Sequence, residues 1–261
     1  RMLEAAWKVN EGLRSRPEMI SQLAAIAITR WQLAVLRKMD GLKPAWVERI
    51  REQDARRGFI QALEWQSFSF AKGMKEAGLP ETWWSPGPRR EIVSYTRNTR
   101  ELAKEIGNQN ACSYDPERAR RLWEKRFPRR SFGAIFFPNS QESPHRMFRF
   151  LLEQELTELV LRAKAARASS ADGSWPSDLE NLASSACPGA HWSYRVAGET
   201  MSISFGGDFP QWPQSGTLKL PLSHKASVSR RGLLTARCQP LTGFAPGHRL
   251  LWMAHPLLSS F

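Results

Sequence analysis

The chain has 261 residues, of which 41% are hydrophobic and 24% are charged. This composition is that of a globular protein and excludes a disordered or low-complexity chain, and the length suits one large domain or two smaller ones. The 38 Lys and Arg residues against 25 Asp and Glu residues give a formal net charge of +13, which favours polyanionic partners such as nucleic acid, anionic lipid or an acidic protein.

Residues 2–38 predict two helices that are separated by a break near Arg16-Pro17. The most apolar stretch, Met19–Thr29, is shorter than the roughly 20 apolar residues of a membrane-spanning helix, so no such helix is predicted. Because the sequence begins with Arg1 in a helical pattern, we expect a fragment whose signal or membrane anchor lies upstream.

The second predicted helix carries an apolar stripe at steps of three and four residues, and we expect this stripe to face the centre of a helical bundle. Its members are Ile20, Leu23, Ala24, Ala27, Trp31 and Ala34, and it is widened by Ile26, Leu33 and Val35. Further helices are predicted over about 46–75, 91–107, 116–127 and 146–168.

After residue 168 the apolar residues recur at every second position, which is the spacing of strands. Two such runs, Trp192–Val196 and Met201–Phe205, flank a glycine and predict a β-hairpin, and Thr217–Leu222 is expected to add a third strand. The predicted fold class is therefore α+β, with a helical bundle over 1–168, a small antiparallel sheet over 169–222 that packs on the last helix, and an irregular basic tail over 223–261.

The most basic segment runs from Arg118 to Arg130 and is a candidate polyanion-binding site. Its cations are Arg118, Arg120, Arg121, Lys125, Arg126, Arg129 and Arg130. Such a segment can bind phosphates while neighbouring rings stack on bases or enter a headgroup layer. The same segment can instead be a solvated helix face whose rings, Trp123 and Phe127, point to the core, and this second interpretation is favoured.

Eleven tryptophans are unusual for this length, and each ring needs a core or an interface because of its apolar area. Trp83 and Trp84 lie in a segment rich in Pro and Gly, and Trp123 lies in the basic segment. These three rings are candidate interface residues.

No catalytic or metal site is predicted, and no cofactor. The five histidines lack a second ligand at a metal-binding step, and no nucleophile elbow, phosphate loop or dinucleotide fingerprint occurs. Cys112 and His145 could form a nucleophile and base only if the fold brings them together. Glu153, Glu155 and Glu158 lie on one helix and could supply paired carboxylates, although solvated charges are favoured.

The sequence has three cysteines, Cys112, Cys187 and Cys238. They allow one disulfide with one free thiol, or three reduced thiols, so they do not indicate whether the compartment is oxidising or reducing.

The segment from Glu155 to Phe205 contains a long helix, then a turn that begins Asp172-Gly173-Ser174-Trp175-Pro176, then the hairpin. It resembles the helix-turn-sheet region of the major pseudopilins of type II secretion. It is also similar to the C-terminal part of uncharacterised, membrane-anchored bacterial envelope proteins. This resemblance implies a location in the bacterial cell envelope, on the periplasmic side, and carries no functional residues over to the chain.

We therefore expect a non-enzymatic, envelope-associated scaffold or protein-binding protein, with other proteins as its partners. The alternative is a cytoplasmic or nucleic-acid-binding protein that uses the basic segment, through which an anionic lipid surface could also bind.

Overall fold

The computed structural model describes residues 2–41, 45–76, 86–127, 142–209 and 222–227. Residues 1–228 form one compact unit, and the remainder, 229–261, lies outside the described residues. The described part contains seven helices, α1 (Met2–Arg14), α2 (Met19–Lys38), α3 (Ala45–Arg51), α4 (Ala55–Glu76), α5 (Pro86–Gly107), α6 (Pro116–Arg126) and α7 (Ser143–Ser169). Three strands follow, β1 (Trp192–Ala197), β2 (Thr200–Phe205) and β3 (Ser223–Ser227). The predicted α+β class is confirmed.

Local chemistry explains where the helices begin and end. The prediction of one helix over 46–75 is wrong. Pro17 separates α1 from α2, as expected, because proline cannot donate the backbone hydrogen bond that would continue a helix. The single helix predicted over 46–75 is two helices, because Asp54 starts a new one. The Asp54 carboxylate accepts a hydrogen bond from the backbone N–H of Arg57 at 2.9 Å, which is the bond that an N-cap residue makes.

Helix α7 lies at the centre of the core. The side chains predicted to line one side of it are all buried, and Met147, Phe150 and Leu161 are buried with them. The predicted residues are Phe148, Leu152, Leu156, Leu159 and Val160. Helices α2, α3 and α4 and strands β2 and β3 all pack against α7, so this helix contacts both the bundle and the sheet.

Three glutamates of α7 bond to three different parts of the chain and are not paired with one another. Glu153 accepts hydrogen bonds from Arg30 of α2 at 2.7 and 2.8 Å. Glu158 forms an ion pair with Arg51 of α3 at 2.5 Å. Glu155 faces the segment before the sheet, so the expectation of solvated charges is wrong for Glu153 and Glu155.

The Glu155 carboxylate connects the helices to the sheet. One oxygen accepts from the backbone N–H groups of Ser185 and Ala186 and from the Ser185 hydroxyl, at 2.8, 2.7 and 2.6 Å. The other oxygen accepts from the Ser184 hydroxyl at 2.7 Å and from the indole N–H of Trp192 at 3.1 Å. Bonds to an ionised acceptor are stronger than neutral ones, so this carboxylate holds both the 184–186 loop and the start of β1.

The sheet is antiparallel in the order β1-β2-β3, and the predicted hairpin is confirmed. Ala197 pairs with Thr200 across a two-residue turn whose Gly198 has a φ of 59°, a conformation that glycine adopts without steric cost. The third strand is Ser223–Ser227, which pairs with β2 and lies inside the region predicted as an irregular tail. The predicted third strand, 217–222, lies outside the described residues apart from Leu222, which precedes β3.

The turn between α7 and the sheet packs against the hairpin. The Trp175 ring is buried, its indole N–H donates to the carbonyl of Glu199 at 3.0 Å, and Arg167 lies over the ring at 4.7 Å. The Tyr194 hydroxyl donates to the carbonyl of Pro176 at 2.8 Å. These contacts hold the turn against the hairpin, and Arg167 connects Trp175 to α7.

Replacing Glu155 by Gln should lower the free energy of unfolding by about 2–3 kcal/mol, because the new amide places a donor where the chain already presents donors. Urea unfolding followed by circular dichroism measures the change.

The matched control is Glu158→Gln on the same helix, whose ion pair is partly exposed and should cost no more than about 1 kcal/mol. Equal and small effects of both substitutions would show that Glu155 is an ordinary surface carboxylate.

Candidate interaction surfaces

The basic segment divides into paired and exposed cations. Arg120 forms ion pairs with Glu117 and Glu124, at 2.9 and 3.1 Å. Arg126 forms one with Glu105 of α5 at 3.0 Å. The other described cations of the segment, Arg118, Arg121 and Lys125, are exposed and form one row on α6. Arg129 and Arg130 lie outside the described residues.

The interface aromatics predicted from the sequence are not confirmed as a surface. Trp123 is only 8% exposed and packs on Phe127 with ring centroids 4.5 Å apart, and Phe127 in turn contacts Tyr95 of α5. Trp123 therefore belongs to the core, and it cannot stack on a base or enter a headgroup layer in this conformation. Trp83 and Trp84 lie outside the described residues.

Cys112 and Cys187 form a disulfide with Cα atoms 5.3 Å apart, which lies in the range usual for such bonds. The bond joins the loop after α5 to the loop before β1. It removes Cys112 as a nucleophile, so the Cys112–His145 pair weighed from the sequence does not form. The His145 ring instead stacks on Phe209 at 4.9 Å.

The described residues contain no group of three or more His, Cys, Asp or Glu side chains placed to hold a metal ion. His224 of β3 lies beside Arg37 and Lys164, and burial first, then these two positive charges, lower its pKa to about 4. It is therefore neutral at pH 7.

The prediction that the apolar stripe of α2 is buried is wrong for its central residues and confirmed for two of those that widen it. Ile20 is 80% exposed and Trp31 is 78% exposed, whereas Ile26 and Leu33 are buried. The exposed residues of the stripe form a surface that we call the apolar face of α2. It consists of Ile20, Ala27, Trp31 and Val35.

Polar side chains on the opposite side of α2 explain this orientation. The side-chain amide of Asn10 in α1 donates to the Thr29 hydroxyl at 2.6 Å and to the side-chain oxygen Oε1 of Gln32 at 3.2 Å, all inside the core. Arg30 reaches Glu153, and Arg37 donates to the Thr157 hydroxyl at 2.7 Å. Rotation of α2 to bury Ile20 and Trp31 would break these bonds.

The charged residues at the two ends of α2 differ. Arg16 and the N-cap residue Glu18 are both exposed before its start, so that end carries both signs. At the other end Arg37 bonds to Thr157 of α7, and Lys38 is exposed. The helix itself contains no acidic residue.

Helix α2 is the only helix within the described ranges that is long and apolar enough to cross a membrane by length and composition. It is longer than the apolar stretch that the sequence indicates. A core helix passes the same test, and α2 has the buried polar bonds of a core helix.

Comparison of the chain with protein-family models, with curated proteins and with solved structures found no match.

Breaking the disulfide, by reduction or by Cys112→Ala with Cys187→Ala, should lower the free energy of unfolding. The bond spans 75 positions, and loop-closure entropy for a loop of this length amounts to about 4 kcal/mol. Urea unfolding with and without reductant measures the loss.

A non-reducing proteolytic digest should contain the peptides of Cys112 and Cys187 linked to each other. Trapping of both thiols by an alkylating agent, in protein purified without reductant, would contradict the bond.

Proposed function

We propose that the chain is a non-enzymatic protein of the bacterial cell envelope, on the periplasmic side, that binds another protein through the apolar face of α2. The observation that carries this proposal is the exposure of Trp31 and Ile20 on a helix whose remaining sides are packed. Exposed apolar side chains that line one face of a helix mark interaction sites, and Trp is among the residues enriched at binding hot spots.

The Cys112–Cys187 bond supports the location. Disulfides persist in oxidising compartments such as the periplasm and are rare in the cytoplasm, where thiols are kept reduced. The resemblance of Glu155–Phe205 to pseudopilins, which are envelope proteins, favours the same compartment. A cytoplasmic location, the alternative, would leave both thiols reduced.

The spacing of the apolar residues on this face indicates what kind of partner binds there. Ile20, Ala27 and Trp31 are seven and four residues apart, so they follow one line along the helix, and this is the arrangement that packs against a second helix. The occupant is therefore an amphipathic helix of another protein, whose apolar side packs on this face.

Site-specific photo-crosslinking in the native cell envelope tests this proposal. A benzophenone side chain at position 20 should form an adduct with one other protein, and the linked peptide should come from an amphipathic helix. The control position is Glu91, which is exposed on α5 and should form no specific adduct.

The substitution Trp31→Glu should reduce the adduct formed from position 20 by about tenfold or more, because it places a charge in an apolar contact. The unfolding free energy should change by no more than about 0.5 kcal/mol, since Trp31 is mostly exposed. Adducts with lipid alone, with a second copy of the chain, or none at all would contradict the proposal.

The row of exposed cations on α6 favours a second candidate function, which is the binding of nucleic acid. Arg118, Arg121 and Lys125 are three and four residues apart, so they lie on one side of the helix and can contact successive phosphates. The buried position of Trp123 removes base stacking by this ring, so such binding would depend on charge alone and would be independent of sequence.

Affinity for a fluorescent DNA duplex should then fall steeply between low and physiological salt. Replacement of Arg118, Arg121 and Lys125 by Gln should weaken binding about tenfold or more at low salt, whereas Arg120→Gln, which changes a cation already paired with two glutamates, should have a smaller effect. Absence of binding at low salt would exclude this function.

A further inference from the structure

A cavity of about 370 Å³ opens between α1, α2, α7 and the turn that joins α3 to α4. Its volume lies in the range of sites that bind small molecules, which is about 300–1,000 Å³. The apolar part of its wall consists of Trp7, Ala25, Ile26 and Phe150, all buried in the core. Such a wall accommodates an apolar group.

Two arginines line the cavity, and only one of them has a carboxylate partner. Arg49 contacts both carboxylate oxygens of Glu4, at 2.7 and 2.8 Å. Arg14 lies over the ring of Trp7, 5.1 Å from its centre, and forms no ion pair or hydrogen bond through its guanidinium with any described residue. Burial lowers the pKa of Arg14, and the negative charge of Glu11 opposes this effect without outweighing it.

An unsatisfied amide lies in the wall of the same cavity. Gln53 is only 7% exposed, and its side-chain nitrogen is buried without a hydrogen-bond partner among the described residues. A buried amide nitrogen without a partner is costly, so Gln53 gains from any rotation that brings this nitrogen to a bonding partner. Because the two ends of an amide can exchange by rotation, Gln53 can offer a donor or an acceptor to a ligand.

The mouth of the cavity is acidic. Glu11, Glu52 and Asp54 line it and are exposed. A ligand that offered only an anionic group to Arg14 would be repelled by these carboxylates, whereas a ligand that also carried a positive group would be attracted by them.

We propose that this cavity binds a small zwitterion with an apolar body, such as an apolar α-amino acid. The carboxylate of the ligand pairs with Arg14 and bonds to Gln53, its ammonium group lies near the acidic mouth, and its side chain contacts Ile26 and Phe150. This inference goes beyond the protein-binding function and does not depend on it, because the cavity is a separate site from the apolar face of α2.

Isothermal titration of the whole chain with L-phenylalanine, at concentrations up to about 10 mM, tests the proposal. N-acetyl-L-phenylalanine lacks the ammonium group and L-phenylalaninamide lacks the carboxylate, so each should bind about tenfold more weakly or not at all. Absence of heat from L-phenylalanine, or equal binding of all three compounds, would overturn the proposal.

Two variants test whether L-phenylalanine binds in this cavity. Arg14→Met and Gln53→Met keep much of the side-chain volume and remove no hydrogen bond of the folded chain, so both should fold, and both should weaken L-phenylalanine binding about tenfold or more. Arg100→Met, which removes an exposed charge from α5, is the matched control and should bind as the unaltered chain does.

Unchanged binding by both cavity variants would overturn the proposal. Should either variant fail to fold, the comparison of the three compounds on the unaltered chain still decides between a zwitterion site and none.

Discussion

Helix α7 supplies the carboxylates on which the rest of the described structure depends. Glu153 is only 8% exposed and bonds to Arg30 and Arg149. Burial alone would raise its pKa, but these two guanidinium groups outweigh burial and hold the pKa below its ordinary value, so the residue stays ionised. Two residues along the helix, Glu155 accepts five hydrogen bonds from the segment that leads into β1. One helix therefore positions both α2 and the sheet.

The bond between Arg30 and Glu153 also decides which side of α2 faces outward. A helix with apolar residues on most of its circumference can bury more than one face, and hydrophobic burial by itself does not select between them. The polar residues make the selection, because Thr29 and Arg30 find partners in this orientation, and a buried polar group without a partner costs more than an exposed apolar one. The apolar face of α2 follows from this constraint.

The disulfide and the Glu155 bonds act on the same stretch of chain. Ala111 donates its N–H to the carbonyl of Ala186 at 2.8 Å, beside the bond that joins Cys112 to Cys187. The loop before β1 is thus held to the loop after α5 by a covalent bond and to α7 by a carboxylate. These bonds order the segment 170–191, which contains no helix or strand of its own and would otherwise keep much of its conformational entropy.

Features that arise from neighbours in sequence could be predicted, and features that arise from distant neighbours could not. The buried side of α7, the break at Pro17 and the hairpin turn at Gly198 follow from residue spacing and backbone preference, which act within a few positions. The orientation of α2, the choice of Cys187 as the partner of Cys112, the roles of Glu153 and Glu155, and the cavity beside Arg14 depend on residues from about 20 to more than 100 positions apart. Periodicity shows that a helix has an apolar side, but only the packed fold shows which polar groups find partners, and that decides which side is covered.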